Sequence, residues 1–524
     1  MSPAGIIEFL LWLLIAASAI AVVTSRLKIP YTVALVLGGF AIDIFHLPIM
    51  SALGGEPTSR VLTPDIILIL FLPALLFESG INIHVRQLRE NLGSITLLAV
   101  AGVLAATLIT AYALHWIVGL PLMSALLFGA LISATDPISV LALFKDLGVS
   151  KRLAVIIEGE SLFNDGTSVV IFQIIVAGLA SGDFSVFDGI RRFLLVVLGG
   201  AALGLGLGYL NSRITQQVDD PRIEITLTTI LAYSSYLIAE HLGVSGVIAT
   251  VAAGLMVGNF GAEVGMRPRT RVALWSFWEY VSFVVNSLVF LLIGIEVRAV
   301  SLVEAWHAIL LAIATVLLGR LLSVYLLAPA AGLIGPKIPL RWQHVLVWGG
   351  VHGSVSMALA LSLSHSIPAR DLILTMTFGV VAFSIIVQGL TVKPLLRILH
   401  IEMGAHEDDY DRARVQHIAV SAAKRELDAL LKDDLISTPG YQQLLADLES
   451  REREAQLETA ALRAKHPVAA HEEIRMASVR LIAAEKSAIQ KSASQGLVSV
   501  QTAEEMLAAA DDRLDKLTRE NGEE

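Results

Sequence analysis

Three carboxylates fall within one short stretch of an apolar run: Glu158, Glu160 and Asp165 in EGESLFNDG, with Ser161 and Asn164 between them. The flanks LAVII and TSVVIFQIIVAGLA read as a membrane-spanning helix. An ionisable group there costs about 2.5 kcal/mol or more, which is why such groups mark ion or proton pathways. Ser161 and Asp165 are four apart and share a helix face, with Asn164 alongside. A hydroxyl, an amide carbonyl and a carboxylate together make a hard oxygen site suited to a small cation. Another acid, Asp136, follows Thr135 in SATDP. Pro137 lacks an amide proton and disrupts helix hydrogen bonding, so freed backbone carbonyls are expected to help hold a cation. Glu78, in FLPALLFESG, is expected to end the third span and guard the cytoplasmic mouth.

Some of these residues read as architecture. A buried glutamate commonly holds a helix by pairing with arginine, and Arg320 in VLLGRLLSVY is a lone arginine within an apolar segment. Glu160 and Arg320 are therefore paired. For Ser161 and Thr135, ion binding and helix packing both stand open, because hydroxyls also bond to helix carbonyls. Glu158 receives no role.

The elements that must position these groups follow from composition. The chain is 55% hydrophobic and 16% charged, with mean hydropathy +0.71, far from a soluble globular average. Apolar runs of about 17 or more residues recur up to residue 400, each long enough to cross a bilayer. We count about thirteen spans, centred near residues 15, 38, 71, 104, 132, 167, 202, 231, 250, 284, 317, 352 and 385. The fifth and twelfth are interrupted by polar or glycine-rich stretches. The first run has no basic residue before Arg26, so an uncleaved span is expected rather than a signal peptide.

Loop charges orient the chain. One side receives Arg26, Lys28, Arg86, Arg89, Lys145, Lys151, Arg152, Arg213, Arg222, Arg267, Arg269, Arg271, Lys337 and Arg341, the other only Arg60, Arg191, Arg192, Arg298 and Arg370. This bias predicts an outside N-terminus and a cytoplasmic tail. Residues 401–524 hold 16 Lys+Arg and 25 Asp+Glu, so the net charge of -9 belongs to the tail. Two domains are expected, a membrane domain over 1–400 and a helical C-terminal domain over 401–524. Within the tail, Thr438-Pro439 reads as an N-cap and first helical proline. Thr502 with Glu505 has capping-box spacing, and His466-Pro467 and Ser494-Gln495-Gly496 read as breaks. Gly200, Gly204 and Gly208 permit close helix contact, within one subunit by default. The absence of cysteine excludes disulfides, thiolate nucleophiles and cysteine-based metal sites.

FLPALLFE, ATDP and ESLFND, in this order in successive membrane segments, resemble the sodium/proton exchangers of the cation/proton antiporter superfamily, and the NhaP branch most. The resemblance covers roughly residues 5–400. It implies an all-α fold with inverted repeats, broken crossing helices, and ion-binding and dimerisation domains, hence a homodimer. It implies that Asp165 is the ion- and proton-binding carboxylate, assisted by Asp136 and Thr135, with Ser161 and Glu78 as further ligands. It also implies a structural ion pair of Glu160 and Arg320 with Asn164 nearby. Asparagine at 164, rather than a second aspartate, resembles the electroneutral branch. The chain departs from many relatives in GGVHGSVS, where His352 stands in place of an arginine; its titration near neutral pH would tune the pH response, and a packed, hydrogen-bonded histidine is the plainer alternative.

The resulting expectation is a plasma-membrane transporter, not an enzyme, exchanging Na⁺ and also Li⁺ for protons by competition at Asp165, with no cofactor and no nucleic-acid partner. The alternatives are K⁺/H⁺ or Ca²⁺/H⁺ exchange on the same scaffold and, more distantly, an intramembrane aspartyl protease. The last uses two membrane aspartates in Tyr-Asp and Gly-x-Gly-Asp contexts, whereas here they stand in Thr-Asp-Pro and Asn-Asp-Gly.

Overall fold

The computed structural model describes residues 3–27, 31–44, 67–147, 149–181, 186–218, 220–262, 266, 268–296, 304–364, 366–401, 405–433 and 435–465. Beyond 465 it describes 478, 481–482, 485–489, 492, 498–499, 501–503, 505–507, 509–510 and 513. The chain forms two compact units, one of residues 1–144 and 151–401 and the other of 145–150 and 402–524.

The described residues of the first unit are mainly helical, and its seventh helix continues past the unit's boundary at residue 144. The unit opens with α1 (Pro3–Leu27), α2 (Tyr31–Ile44), α3 (Leu72–Asn82, led in by a π-turn at Ile67–Phe71), α4 (Val85–Thr96) and α5 (Val103–Val118). Next come α6 (Leu122–Ile132), α7 (Ile138–Leu147), α8 (Lys151–Ser181), α9 (Val186–Thr215), α10 (Pro221–His241) and α11 (Gly246–Met256). It closes with α12 (Pro268–Glu296), α13 (Trp306–Ile334), α14 (Leu340–Trp348), α15 (Ser354–Leu361), α16 (Arg370–Phe383) and α17 (Gly389–Ile398). Six described helical stretches are long and apolar enough to cross a membrane: Val85–Val118, Lys151–Leu179, Phe187–Thr215, Arg269–Leu292, Trp306–Ile334 and Arg370–Ile398. Five shorter apolar helices accompany them, Glu8–Thr24, Tyr31–Ile42, Ile69–Asn82, Leu122–Ile132 and Gly246–Gly261.

Local chemistry sets several boundaries. Asp220 caps α10, its carboxylate accepting the Arg222 amide at 2.8 Å, with Pro221 at the first helical position. Ser245 caps α11 by accepting from the Ile248 amide at 3.3 Å. Between them Gly243 takes φ +70°, the left-handed conformation that lets so short a turn reverse the chain. Gly200, Gly204 and Gly208 all face α11, and a Cβ at Gly204 would overlap the Ala249 carbonyl. The stripe thus packs inside one subunit. Packing through backbone contact and small residues is the means of helix association where no hydrophobic drive separates helix from lipid.

Two interruptions matter for function. Between α6 and α7, residues 133–137 leave the helix; between α14 and α15, residues 349–353 do the same. The two meet, the Asp136 amide donating to the Val351 carbonyl at 2.6 Å.

In the second unit, α18 (Ala405–Lys432) and α19 (Thr438–Lys465) form a hairpin. Lys424 pairs with Glu452 at 2.5 Å and the Tyr441 hydroxyl donates to Asp428 at 2.8 Å. Two expected caps shift. The cap of α19 is Ser437, whose hydroxyl accepts from the Gly440 amide at 3.4 Å, so Thr438 is the first helical residue. Further on, Ser499 and not Thr502 caps: its hydroxyl accepts from the Thr502 amide at 3.1 Å. In both cases the serine lies three residues before the amide it caps, the spacing that fits N3. His466-Pro467 and Ser494-Gln495-Gly496 lie outside the described residues.

Candidate functional site

Asp165 lies near the middle of α8, a helix 31 residues long. Ser161, one turn earlier, and Asp165 face the same cavity, of about 230 Å³. Glu158 on α8 lines it too, with Glu78 and Asn82 on α3, Thr135 and Asp136 at the first break, Ser282 on α12 and Ser354 at the start of α15. Leu72, Leu75, Leu76, Leu141, Leu162 and Val355 supply the larger apolar side chains of the wall. Four carboxylates line this cavity and, among the described residues, no lysine or arginine does. Like charges in so apolar a setting call for positive charge from outside.

The Asp165 Oδ1 atom is buried and has no hydrogen-bond partner among the described residues. A buried acceptor without a partner is costly, and of the buried side-chain atoms in this state among the described residues, Asp165 Oδ1 alone belongs to a residue that lines the cavity. No group of three or more histidines or acids among the described residues has the arrangement of a metal site.

Asn164 turns away from the cavity. Its Nδ2 donates to Thr135 Oγ1 at 2.7 Å and to Glu160 Oε1 at 3.3 Å, and its Oδ1 accepts from the Thr135 amide at 3.3 Å. It brackets the break to α8. Ser161 donates to the Thr135 carbonyl and accepts from Thr135 Oγ1 at 3.3 Å. The Thr135 carbonyl, freed by the break, thus accepts one hydrogen bond, and that of Ala134 accepts two, from His352 Nδ1 and Ser356 Oγ, each at 3.1 Å.

Glu160 and Arg320 meet as a fork. Nη1 donates to Oε1 at 2.6 Å and Nη2 to Oε2 at 2.8 Å. Arg320 also donates to the Leu346 carbonyl, from Nε at 3.2 Å and Nη2 at 3.1 Å. It therefore joins α8 to the last turn of α14. Bidentate geometry and further hydrogen bonds are what make a buried pair tolerable.

Glu78 lies within α3, a turn before its end, where Asn82 Nδ2 donates to its Oε1 at 2.6 Å. The i,i+4 spacing of Glu78 and Asn82 is legible in the sequence, whereas no local pattern brings Ser282 to the cavity or Gly353 to Asp136. A Cβ at Gly353 would lie 2.6 Å from Asp136 Oδ2, so the second break is pressed against the Asp136 carboxylate.

The family model described as "Sodium/hydrogen exchanger, transmembrane" matches residues 13–398. The Na⁺/H⁺ antiporter NhaG of Bacillus atrophaeus is 35% identical over 504 residues, 95% of each chain. The Na⁺/H⁺ antiporter ApNhaP of Aphanothece halophytica is 43% identical over 377 residues, 71% of this chain and 70% of that one. Among solved structures, the sodium proton antiporter MjNhaP1 from Methanocaldococcus jannaschii superposes with TM-score 0.63 at 22% identity, over 77% of this chain and 99% of that one. Fold, motifs and matched length agree, and the chain belongs to the transmembrane sodium/hydrogen exchanger family.

Proposed function

We propose that this chain is a transporter exchanging Na⁺ for H⁺ across the plasma membrane, with Asp165 the group for which the two compete. The observation that carries this reading is the unpartnered Asp165 Oδ1 atom on a cavity with four acids and, among its described residues, no base. The printed names of the relatives, Na⁺/H⁺ antiporters in Bacillus and Aphanothece, support the pair of ions. A cation held by Asp165 and Asp136, with Thr135 and Ser161 oxygens beside them and Glu78 toward the mouth, displaces the proton. Either occupied form lets the site change sides. The empty, charged site is unfavourable in an apolar environment, and that coupling prevents either flux from running alone.

Asparagine at 164, as in the electroneutral branch that the motif resembles, supports one proton per cation. A compact carboxylate site favours Li⁺ beside Na⁺. The bias of loop charges supports about thirteen crossings with the N-terminus outside and the C-terminal domain, residues 401–524, in the cytoplasm. The inverted repeats and homodimer implied by the family complete the proposal. An inward proton gradient would drive cation export.

The test is Asp165→Asn in inside-out vesicles, following a pH-sensitive dye after a sodium pulse. Loss of sodium-driven dequenching is expected. Native-like dequenching by Asp165→Asn would refute the assignment. Running Na⁺, Li⁺, K⁺ and Ca²⁺ side by side in proteoliposomes decides selectivity.

A further inference from the structure

His352 sits in the second break, buried and 6% exposed. It does not line the large cavity. It lines instead a small one of about 20 Å³ on the other side of Thr135, with Thr110, Ser133 and Arg320. Its ring is committed to the segment that carries Thr135 and Asp136. Nδ1 lies 3.1 Å from the Ala134 carbonyl, and Ser356 Oγ donates to the same oxygen at 3.1 Å. A carbonyl oxygen only accepts, so Nδ1 carries the proton, and the two donors use both lone pairs of Ala134. His352's own amide is held by Ser384 Oγ at 3.0 Å.

Three further backbone groups of that segment are held as well. The Thr135 amide donates to Asn164 Oδ1, the Thr135 carbonyl accepts from Ser161, and the Asp136 amide donates to Val351. Pro137 leaves the chain little freedom beyond this point. The direction in which Thr135 and Asp136 face the large cavity is therefore determined by partners on two sides. Asn164 and Ser161 hold the segment from α8. His352 and Ser356 hold it from the second break.

We propose that His352 is a positioning residue for the cation site: through the Ala134 carbonyl it holds Thr135 and Asp136 in the orientation that binds the ion, without itself touching the ion. This rests on the assignment of Asp165 and Asp136 to cation exchange. It places sodium affinity partly under the control of a residue that the ion never meets.

The experiment titrates sodium at one pH in inside-out vesicles, using full-length His352→Ala, His352→Gln and Ser356→Ala, with Asp165→Asn as reference. His352→Ala is expected to raise the apparent KM for sodium about tenfold, the scale of one lost hydrogen bond to a buried acceptor. Vmax per mole of membrane-inserted protein should change by less than about twofold. His352→Gln, whose amide can donate to the same carbonyl, should recover most of the affinity, and Ser356→Ala should raise KM in the same sense. An unchanged KM in His352→Ala, or a loss confined to Vmax, overturns the inference. So does a His352→Gln variant no better than His352→Ala. If His352→Ala fails to insert, native KM values in both His352→Gln and Ser356→Ala overturn it, and a raised KM in Ser356→Ala supports it. Activity persisting in Asp165→Asn would instead strike the underlying reading, whatever the His352 variants do.

Discussion

At the residue scale, the proposed function separates groups that would meet the ion from groups that hold those groups still. On that proposal Asp165 belongs to the first set, and its competition with protons would have a definite sign. As pH falls, more of the carboxylate is protonated and sodium must displace more protons, so the apparent KM for sodium should rise with acidity while saturating sodium restores the rate. Initial rates across a sodium titration at several pH values measure this, and a KM independent of pH would count against a shared carboxylate. Glu160 belongs to the second set. Removing it leaves the Arg320 guanidinium buried without its carboxylate, a loss of about 3–5 kcal/mol for a broken buried pair. Glu160→Gln should therefore lower the unfolding temperature of the detergent-solubilised protein well beyond the effect of Asp165→Asn. Asn164→Ala removes the donor to Thr135 Oγ1 and to Glu160 and the acceptor of the Thr135 amide. A milder destabilisation of about 1–3 kcal/mol is expected, because unsatisfied buried groups remain.

At the element scale, the close approach of α9 to α11 depends on particular glycines and not on glycine content. A Cβ at Gly204 would overlap the Ala249 carbonyl, whereas at Gly206 it would meet nothing within 4 Å. Gly204→Ala should thus prevent normal assembly, while Gly206→Ala is tolerated or slightly stabilising, as alanine favours helix over glycine. Insertion level and thermal stability of the two variants make the comparison, and equal behaviour would contradict the packing. The same scale adds contacts that a charge count does not carry. Arg152, counted as an orienting loop charge, donates to Asn91 Oδ1 at 3.0 Å and to the Pro336 and Lys337 carbonyls at 3.0 and 3.2 Å. It also lies 5.3 Å from the Trp342 ring. It therefore ties α4, α8 and the approach to α14 together. Charge counting registers such an arginine by sign alone, whereas its contacts depend on segments distant in sequence.

At the scale of the whole molecule, every residue lining the large cavity lies within residues 72–355, inside the first compact unit. A chain ending at residue 401 should therefore insert and retain sodium-driven proton exchange in vesicles; complete loss in an inserted truncation would make the tail part of the transport machinery. Much of this molecule was legible in its sequence. Apolar runs longer than a bilayer is thick determine a membrane protein, because unsatisfied backbone in lipid leaves helices as the solution for such runs. Buried acids at helical spacing determined where to look, since their burial is too costly to be casual. The spacing of Ser161 and Asp165 placed both on one face, and the lone Arg320 in an apolar run indicated a buried acid as partner. What the sequence could not decide was which neighbours those groups would meet. Only the tertiary structure turns Asn164 away from the cavity, fills the Ala134 and Thr135 carbonyls with side-chain donors, brings Ser282 to the wall and presses Gly353 against Asp136. The physical reason is that periodicity along one helix fixes the face on which a side chain lies, while the groups that face it come from segments up to about two hundred residues away, joined by contacts no local pattern encodes.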